Sequence, residues 1–242
     1  MLILALFFYF MVKLYYRMGD IMGKYIVIEG TDCSGKETQS KLLEERLNDM
    51  GIKCKRFSFP MYDSPTGKIV EDCYLGKYKK SLFKERASNV DPYVASLYYA
   101  ADRKYNMKEI IKYYDEGYYI ILDRYTTSNL AYQGSKIENK EDRFYMYQWI
   151  DRLEYWLLKI PKPDITIYLH VPISVTKELL KNRKDLDDDE KDIDYLEKSE
   201  KAYLELTTLY GWNKIECTNM NKMRDVKEIN DEILNMILKN KD

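Results

Sequence analysis

The run Tyr25-Ile-Val-Ile-Glu29 leads directly into Gly30-Thr31-Asp32-Cys33-Ser34-Gly35-Lys36-Glu37-Thr38, and this junction constrains the chain more than any other stretch. A β-branched apolar run predicts a buried strand; it stops at a glycine, and Lys36 opens a polar-apolar helical pattern. Glycines let the backbone curl so that its N–H groups face an anion. A helix beginning at Lys36 adds the positive end of its dipole, and the lysine ammonium neutralises phosphate oxygens. A bare G-x-x-x-x-G-K pattern also arises in Gly-rich turns of ordinary α/β units. Here the flanking strand and helix come in the order a phosphate-binding loop requires. One position departs from the usual loop: where a Ser or Thr hydroxyl normally follows the lysine to hold Mg²⁺, Glu37 stands, with the hydroxyl of Thr38 next in line.

No Pro/Gly/Ser-rich linker divides the 242 residues, so the chain reads as one domain over residues 22–242, preceded by an apolar extension at 1–21. With 39 Lys+Arg against 40 Asp+Glu, the net charge of -1 gives no global field to draw nucleic acid or anionic lipid. Basic groups therefore matter locally. Cys33, Cys54, Cys73 and Cys217 have neither C-x-x-C spacing nor disulfide-scaffold density, a pattern that fits reduced thiols in a cytoplasm.

Residues 2–12 are apolar without a break, yet eleven residues fall short of the roughly 20 that span a bilayer core. The segment lacks a positive leading region and a small-residue cleavage site, so it does not read as a secretory signal. Met18 and Met22 both precede the first strand. The extension thus reads as an appended or mis-assigned start, with a membrane or partner anchor as the alternative.

Further along, the periodicity predicts a helix over 36–50 ending at Gly51, a strand over 52–59 ending at Pro60, and an irregular loop over 61–67. Short helix and polar loop fill 67–89. A long helix starts at Asp91-Pro92, a good N-cap followed by proline at the first position, and ends by Gly117. Tyr118–Asp123 is a buried strand ending in a carboxylate, the Walker-B shape that sets an acid beside a metal. A short helix closing at Gly134, an amphipathic helix over 141–159, a strand over 165–171, and helices and a strand at 174–183, 192–210, 212–217 and 226–238 complete the pattern. His170, the sole histidine, is expected to be structural. Alternating strands and helices call for a parallel sheet covered on both faces.

The loop Gly30–Lys36 followed by Thr38-Gln39, the Asp123-Arg124-Tyr125-Thr-Thr-Ser128 run followed by Ala131-Tyr132-Gln133, and an Arg-bearing segment before a long helix together resemble the thymidylate kinase family over about residues 24–238. The resemblance implies a P-loop kinase fold: α/β, with a five-stranded parallel sheet, helices on both faces and a short lid. It implies ATP as phosphate donor, Mg²⁺ as cofactor, small-molecule nucleotides as the binding partners, and a homodimer. By position, Asp32 resembles the carboxylate that accepts from the acceptor's 3′-OH, Lys36 the donor-phosphate lysine, Tyr99 the aromatic that stacks on thymine, and Arg103 the arginine that hydrogen-bonds its carbonyl. Arg124 would hold the acceptor phosphate. Asp123 would order magnesium through water, Glu37 would either ligate it or turn to solvent, and Ser128 and Gln133 would face the nucleotide. Some members carry a catalytic arginine within the loop; that position is Cys33 here, which shifts the role to Arg183 in the lid. Many also carry an acceptor-phosphate arginine just after the proline, where this chain has Met61-Tyr62-Asp63.

The expected activity is phosphorylation of dTMP by ATP. A kinase for another nucleotide acceptor is the neighbouring reading, and a nucleotide-binding module without turnover is the reading from a different class. Because the family-like pattern begins at the first strand, a chain beginning at Met22 should retain full activity and gain solubility. Loss of folding or of turnover on that truncation would make the apolar segment part of the domain.

Overall fold

Strand β1, Lys24–Gly30, buries nearly every residue, as a both-sided apolar run must when it lies inside a parallel sheet. The computed structural model describes residues 23–76, 81–181 and 192–239; residues 1–22, which include the N-terminal extension, and the candidate lid residue Arg183 lie outside them. β1 is the middle of a five-stranded sheet whose other members are β2 (Cys54–Ser58), β3 (Tyr119–Asp123), β4 (Ile165–His170) and β5 (Asn213–Glu216), in the order β2-β3-β1-β4-β5. Every pairing within it is parallel. Strict alternation divides β1 between two layers: Ile26 and Ile28 face one core, and Tyr25 and Val27 the other.

The first layer holds α1 (Lys36–Asp49) and the C-terminal helix, here α8 (Val226–Lys239), which meet through Leu43, Leu47, Ile229, Ile233 and Ile237. Polar contacts tie them as well. Asn230 donates to the Gln39 side chain at 2.9 Å, and Arg46 bonds Asn230 at 2.8 Å. Between β2 and β3 lie α2 (Pro65–Lys68), which continues as wider turns over Ile69–Tyr74, and α3 (Pro92–Asp115). Asp91 caps α3 by accepting from the Tyr93 and Val94 amides, as its sequence predicts. Between β3 and β4 come α4 (Thr126–Gly134) and α5 (Lys140–Asp151), followed by α6 (Ile173–Leu180) and α7 (Ile193–Tyr210) before β5. Helices α4, α5 and α7 share a third core around Tyr147, Tyr168, Tyr203 and Leu206.

Two local features depart from the sequence pattern. The expected continuous helix over 141–159 widens into π-type turns at Arg152–Leu157, and this rotation accompanies the burial of a charged residue, Glu154. A small hairpin pairs β6 (Thr218–Asn219) with β7 (Lys222–Met223). Its turn residues Met220 and Asn221 both have positive φ, 47° and 60°, and a methionine there carries no turn signal.

His170 closes β4 between two carboxylates, Glu200 at 2.8 Å and Glu216 at 2.6 Å, which matches its expected structural role. The hydrogen bond to Glu200, ahead of that to Glu216, raises the His170 pKa against the opposing effect of burial. A raised folded-state pKa adds stability that is complete below the unfolded value of about 6.5 and is lost as pH rises through the folded value. His170→Gln should therefore lower the urea midpoint more at pH 6 than at pH 9. Equal losses at the two pH values would remove the charge from this account.

Candidate active site

Gly30 ends β1 in a place where only a hydrogen fits, since a Cβ would collide with the Ser34 side chain and come within 2.8 Å of the Leu169 carbonyl. The loop then curls through left-handed conformations at Cys33 (φ 60°) and Gly35 (φ 82°). Gly35 supplies α1 with no side-chain cap, which leaves the first amides of a 14-residue helix for an anion. In the same loop the Thr31 hydroxyl is buried without a hydrogen-bond partner among the described residues. Lys36 is buried, and its ammonium rests on the Thr31 carbonyl at 2.7 Å. Burial first, and then the nearby Arg124 charge, lower its pKa to about 8; Asp32 and Asp123 offset part of that shift.

Arg124 follows β3 with φ 66°, a conformation uncommon for a non-glycine residue and concentrated at functional sites. That backbone aims its guanidinium back across the loop. One Nη donates to Asp32 at 2.5 Å and the other to the Tyr132 hydroxyl at 3.1 Å, with the charge 5.3 Å from the centre of the Tyr132 ring. Asp32, Arg124 and Tyr132 form one wall of a cavity at the carboxyl ends of the strands, where open α/β sheets bind ligands. Tyr99, Asp102 and Arg103 line it from α3, Ser128, Asn129 and Gln133 from α4, and Phe59, Pro60 and Tyr62 from the loop after β2. All six residues expected to bind the acceptor, scattered over 102 positions of sequence, thus meet in one cavity beside the loop.

Buried charges hold the walls. Arg103 forms a two-pronged ion pair with Glu154 at 2.5 and 2.6 Å, and both side chains are almost wholly buried. Glu154 also accepts from Thr126 and Asn129. Its carboxylate keeps the guanidinium fixed at the cavity edge, and the pair raises the Arg103 pKa although burial, the largest single effect, opposes it. Asp102 accepts from the Met61 amide and from Ser64, Thr66 and Asn106, which fastens the loop after β2 to α3. Ser128 donates to Glu29 at 2.7 Å, so its hydroxyl serves the interior network while its residue borders the cavity.

Several positions differ from, or were not read in, the sequence. Glu37 takes the solvent alternative: its carboxylate pairs with Lys41 at 2.5 Å on the outer face of α1 and is 70% exposed. It stands away from a metal-ligand position in this conformation, and its lowered pKa follows from the Lys41 hydrogen bond. Thr38 is exposed as well. Asp123 is buried and bonded to Arg56 at 2.6 Å, an arginine of β2 that sequence reasoning passed over. Asn129 was also missed, although it directly follows Ser128. Its Oδ1, like Gln133 Oε1, is buried with no donor among the described residues, and both residues border the cavity. Arg56 had no sequence signal beyond being a charge in a strand; Asn129 had one, its place in the Ser128–Gln133 run.

Comparisons with known proteins agree with this geometry. The family model described as thymidylate kinase matches residues 28–230. A probable thymidylate kinase of Pyrococcus horikoshii is 30% identical over 221 residues, covering 89% of this chain and 96% of that protein. The thymidylate kinase of Prochlorococcus marinus is 32% identical over 222 residues, covering 90% and 99%. Among solved structures, a thymidylate kinase from Candida albicans superimposes with a TM-score of 0.67 at 25% identity, covering 91% of this chain and 93% of that one.

A lysine with a pKa of about 8 in the ligand-free protein loses its charge in mildly alkaline solution. Calorimetric titration should find nucleoside triphosphate binding weakening as pH rises through 8, and Lys36→Met should abolish that dependence. A flat profile in the unaltered protein would place the phosphates away from Lys36.

Proposed function

Because the chain belongs to the thymidylate kinase family, we propose that it phosphorylates dTMP to dTDP with ATP as donor and Mg²⁺ as cofactor. The observation that carries this reading is the single cavity in which Asp32, Tyr99, Arg103, Arg124, Ser128 and Gln133 meet beside the Lys36 loop. The curled glycine loop and the uncapped helix start suit the donor phosphates. Arg124 is suited to the acceptor phosphate, Asp32 to the 3′-OH, and Tyr99 to stacking on the base. Arg103 spends three of its five N–H groups on Glu154 and the Tyr125 carbonyl, which leaves donors for a base carbonyl. Asn129, whose buried Oδ1 has no donor among the described residues, is the acceptor we assign to the base N–H.

An oxygen of the acceptor phosphate attacks the γ-phosphorus; the new P–O bond forms as the bond to the β-phosphate oxygen breaks, and ADP leaves. The attacking oxygen is already an anion, so no strong general base is required, and catalysis is positioning plus charge neutralisation. Lys36 and Arg124 supply cations from this chain, and Arg183 is the proposed cation of the lid. Asp123 is an oxygen donor of the kind Mg²⁺ accepts, and the hydrogen bonds from Ser40 and Arg56 both reach Oδ2, so the site fits a metal held through water. When bound, the ion neutralises charge on the β- and γ-phosphates. Tyr93, Val94 and Leu97 at the start of α3 are exposed large apolar residues, which supports a homodimer through that end of the helix. A cytoplasmic location is part of the same proposal, since that is where both nucleotide substrates would be met.

In a panel of dTMP, dUMP, dGMP, UMP and thymidine, dTMP should give the highest kcat/KM. Arg103→Ala would strand Glu154 as a buried unpaired charge, whereas Asn129→Ala removes one neutral donor and leaves Glu154 paired with Arg103 and Thr126, so it is the milder probe of base reading. It should raise KM for dTMP about tenfold, the order of one lost buried hydrogen bond, and leave KM for ATP unchanged. Matching changes for both substrates would restrict Asn129 to a structural role.

A further inference from the structure

Asp123, the carboxylate assigned to the metal, has a cation of the protein's own bonded to it. Arg56 Nη2 donates to Asp123 Oδ2 at 2.6 Å, and Nε donates to Ser40 Oγ at 2.7 Å, which lies 3.5 Å from the same carboxylate oxygen. The two charged side chains are only 15% and 7% exposed. In strand register Asp123 stands beside Ser58, so Arg56 reaches two residues forward along β2 to the edge where the site lies. Its own amide is held by Glu44 at 2.8 Å, which fixes the strand against α1.

A pair this buried adds little stability over an apolar contact of the same volume, so strand cohesion alone does not explain it. Its effect on a metal is direct. A guanidinium on Oδ2 cancels most of the charge a divalent ion would seek and repels the ion as well. The other carboxylates near the loop are engaged elsewhere, Glu37 with Lys41, Asp32 with Arg124 and Glu29 with the hydroxyls of α4 and α7, and the described residues contain no group of three acidic, His or Cys side chains able to hold a metal. The ion must therefore bring most of its ligands with it, and nucleotide phosphates supply them.

We propose that Arg56 is a positioning residue, the resident counter-ion of Asp123, and that it makes divalent-metal binding conditional on nucleotide. The inference rests on the reading of Asp123 as the metal-side carboxylate. Asp123 keeps one oriented oxygen for metal-bound water while its net charge stays too low to capture a free ion.

The test is Mn²⁺ binding without nucleotide, followed by paramagnetic resonance, in the unaltered protein, Arg56→Gln, Arg56→Lys and the double variant Arg56→Gln/Asp123→Asn. Arg56→Gln should bind free Mn²⁺ about tenfold or more tightly, Arg56→Lys should stay near the unaltered protein, and the double variant should lose the gain. A merely structural arginine would lower or leave metal affinity on removal, never raise it. If Arg56→Gln gains nothing while Asp123→Asn still weakens the metal–ATP complex, the inference falls and the reading of Asp123 stands. If Asp123→Asn leaves the metal–ATP complex unchanged, the reading of Asp123 falls and takes the inference with it. Should Arg56→Gln not fold, the unaltered protein decides: millimolar Mg²⁺ should raise its melting temperature only with ATP present, and a rise with Mg²⁺ alone overturns the proposal.

Discussion

The Glu29 carboxylate, with no exposed surface at the end of the central strand, is the constraint on which the site's architecture depends. A buried charge must be met by donors, and this one takes the Tyr125 amide, the hydroxyls of Thr127 and Ser128, and the Tyr203 hydroxyl. Those donors sit at the start of α4 and in the middle of α7. Satisfying one carboxylate therefore docks two helices against the loop strand. The start of α4 in turn follows Arg124, whose left-handed backbone is held from β1 by a bond to the Ile28 carbonyl at 3.3 Å. Losing Glu29 would leave these hydroxyls without their shared acceptor and free α4 from the strand that carries the phosphate loop.

A second buried charge does the same work on the far wall. Arg103 of α3 and Glu154 of the widened end of α5 satisfy each other, and the surplus capacity of Glu154 reaches Thr126 and Asn129 on α4. Helix α4, which carries Ser128, Asn129 and Gln133 to the cavity wall, is thus held from one side by Glu29 and from the other by Glu154. With both carboxylates satisfied, α4 is held in place while Asn129 and Gln133 border the cavity. Such preorganisation is what a reaction driven by positioning needs, since misplacement by about 1 Å can cost 10²-fold in rate.

Periodicity placed the five main strands and the long helices within a few residues, because each buries a regular apolar face. It did not find the widened turns at 152–157 or the β6–β7 hairpin. The first departs from helical spacing to bury a charge, and the second turns on Met220-Asn221, where only the asparagine carries a turn signal. Among site residues, the motif members Asp32, Lys36, Asp123 and Arg124 stood out because their chemistry is tied to local spacing. Arg56, Glu154 and Asn129 did not, because their importance comes from partners 67, 51 and 25 positions away.

By itself the sequence determined the strand-loop-helix unit, the alternation that makes a parallel sheet, and the residue types for phosphate chemistry, since all of these follow from contacts between near neighbours in the chain. Only the tertiary structure decided the strand order β2-β3-β1-β4-β5, which brings Asp123 beside β2 and so beside Arg56. It likewise decided that Glu37 faces Lys41 and not the loop, a choice between two nearby partners that sequence leaves open. For Asp123 the physical reason is that a buried charge takes whichever partner the packing of distant segments brings within reach, which spacing along the chain does not encode; for Glu37 it is that an exposed i,i+4 lysine offers a pairing as near as the loop.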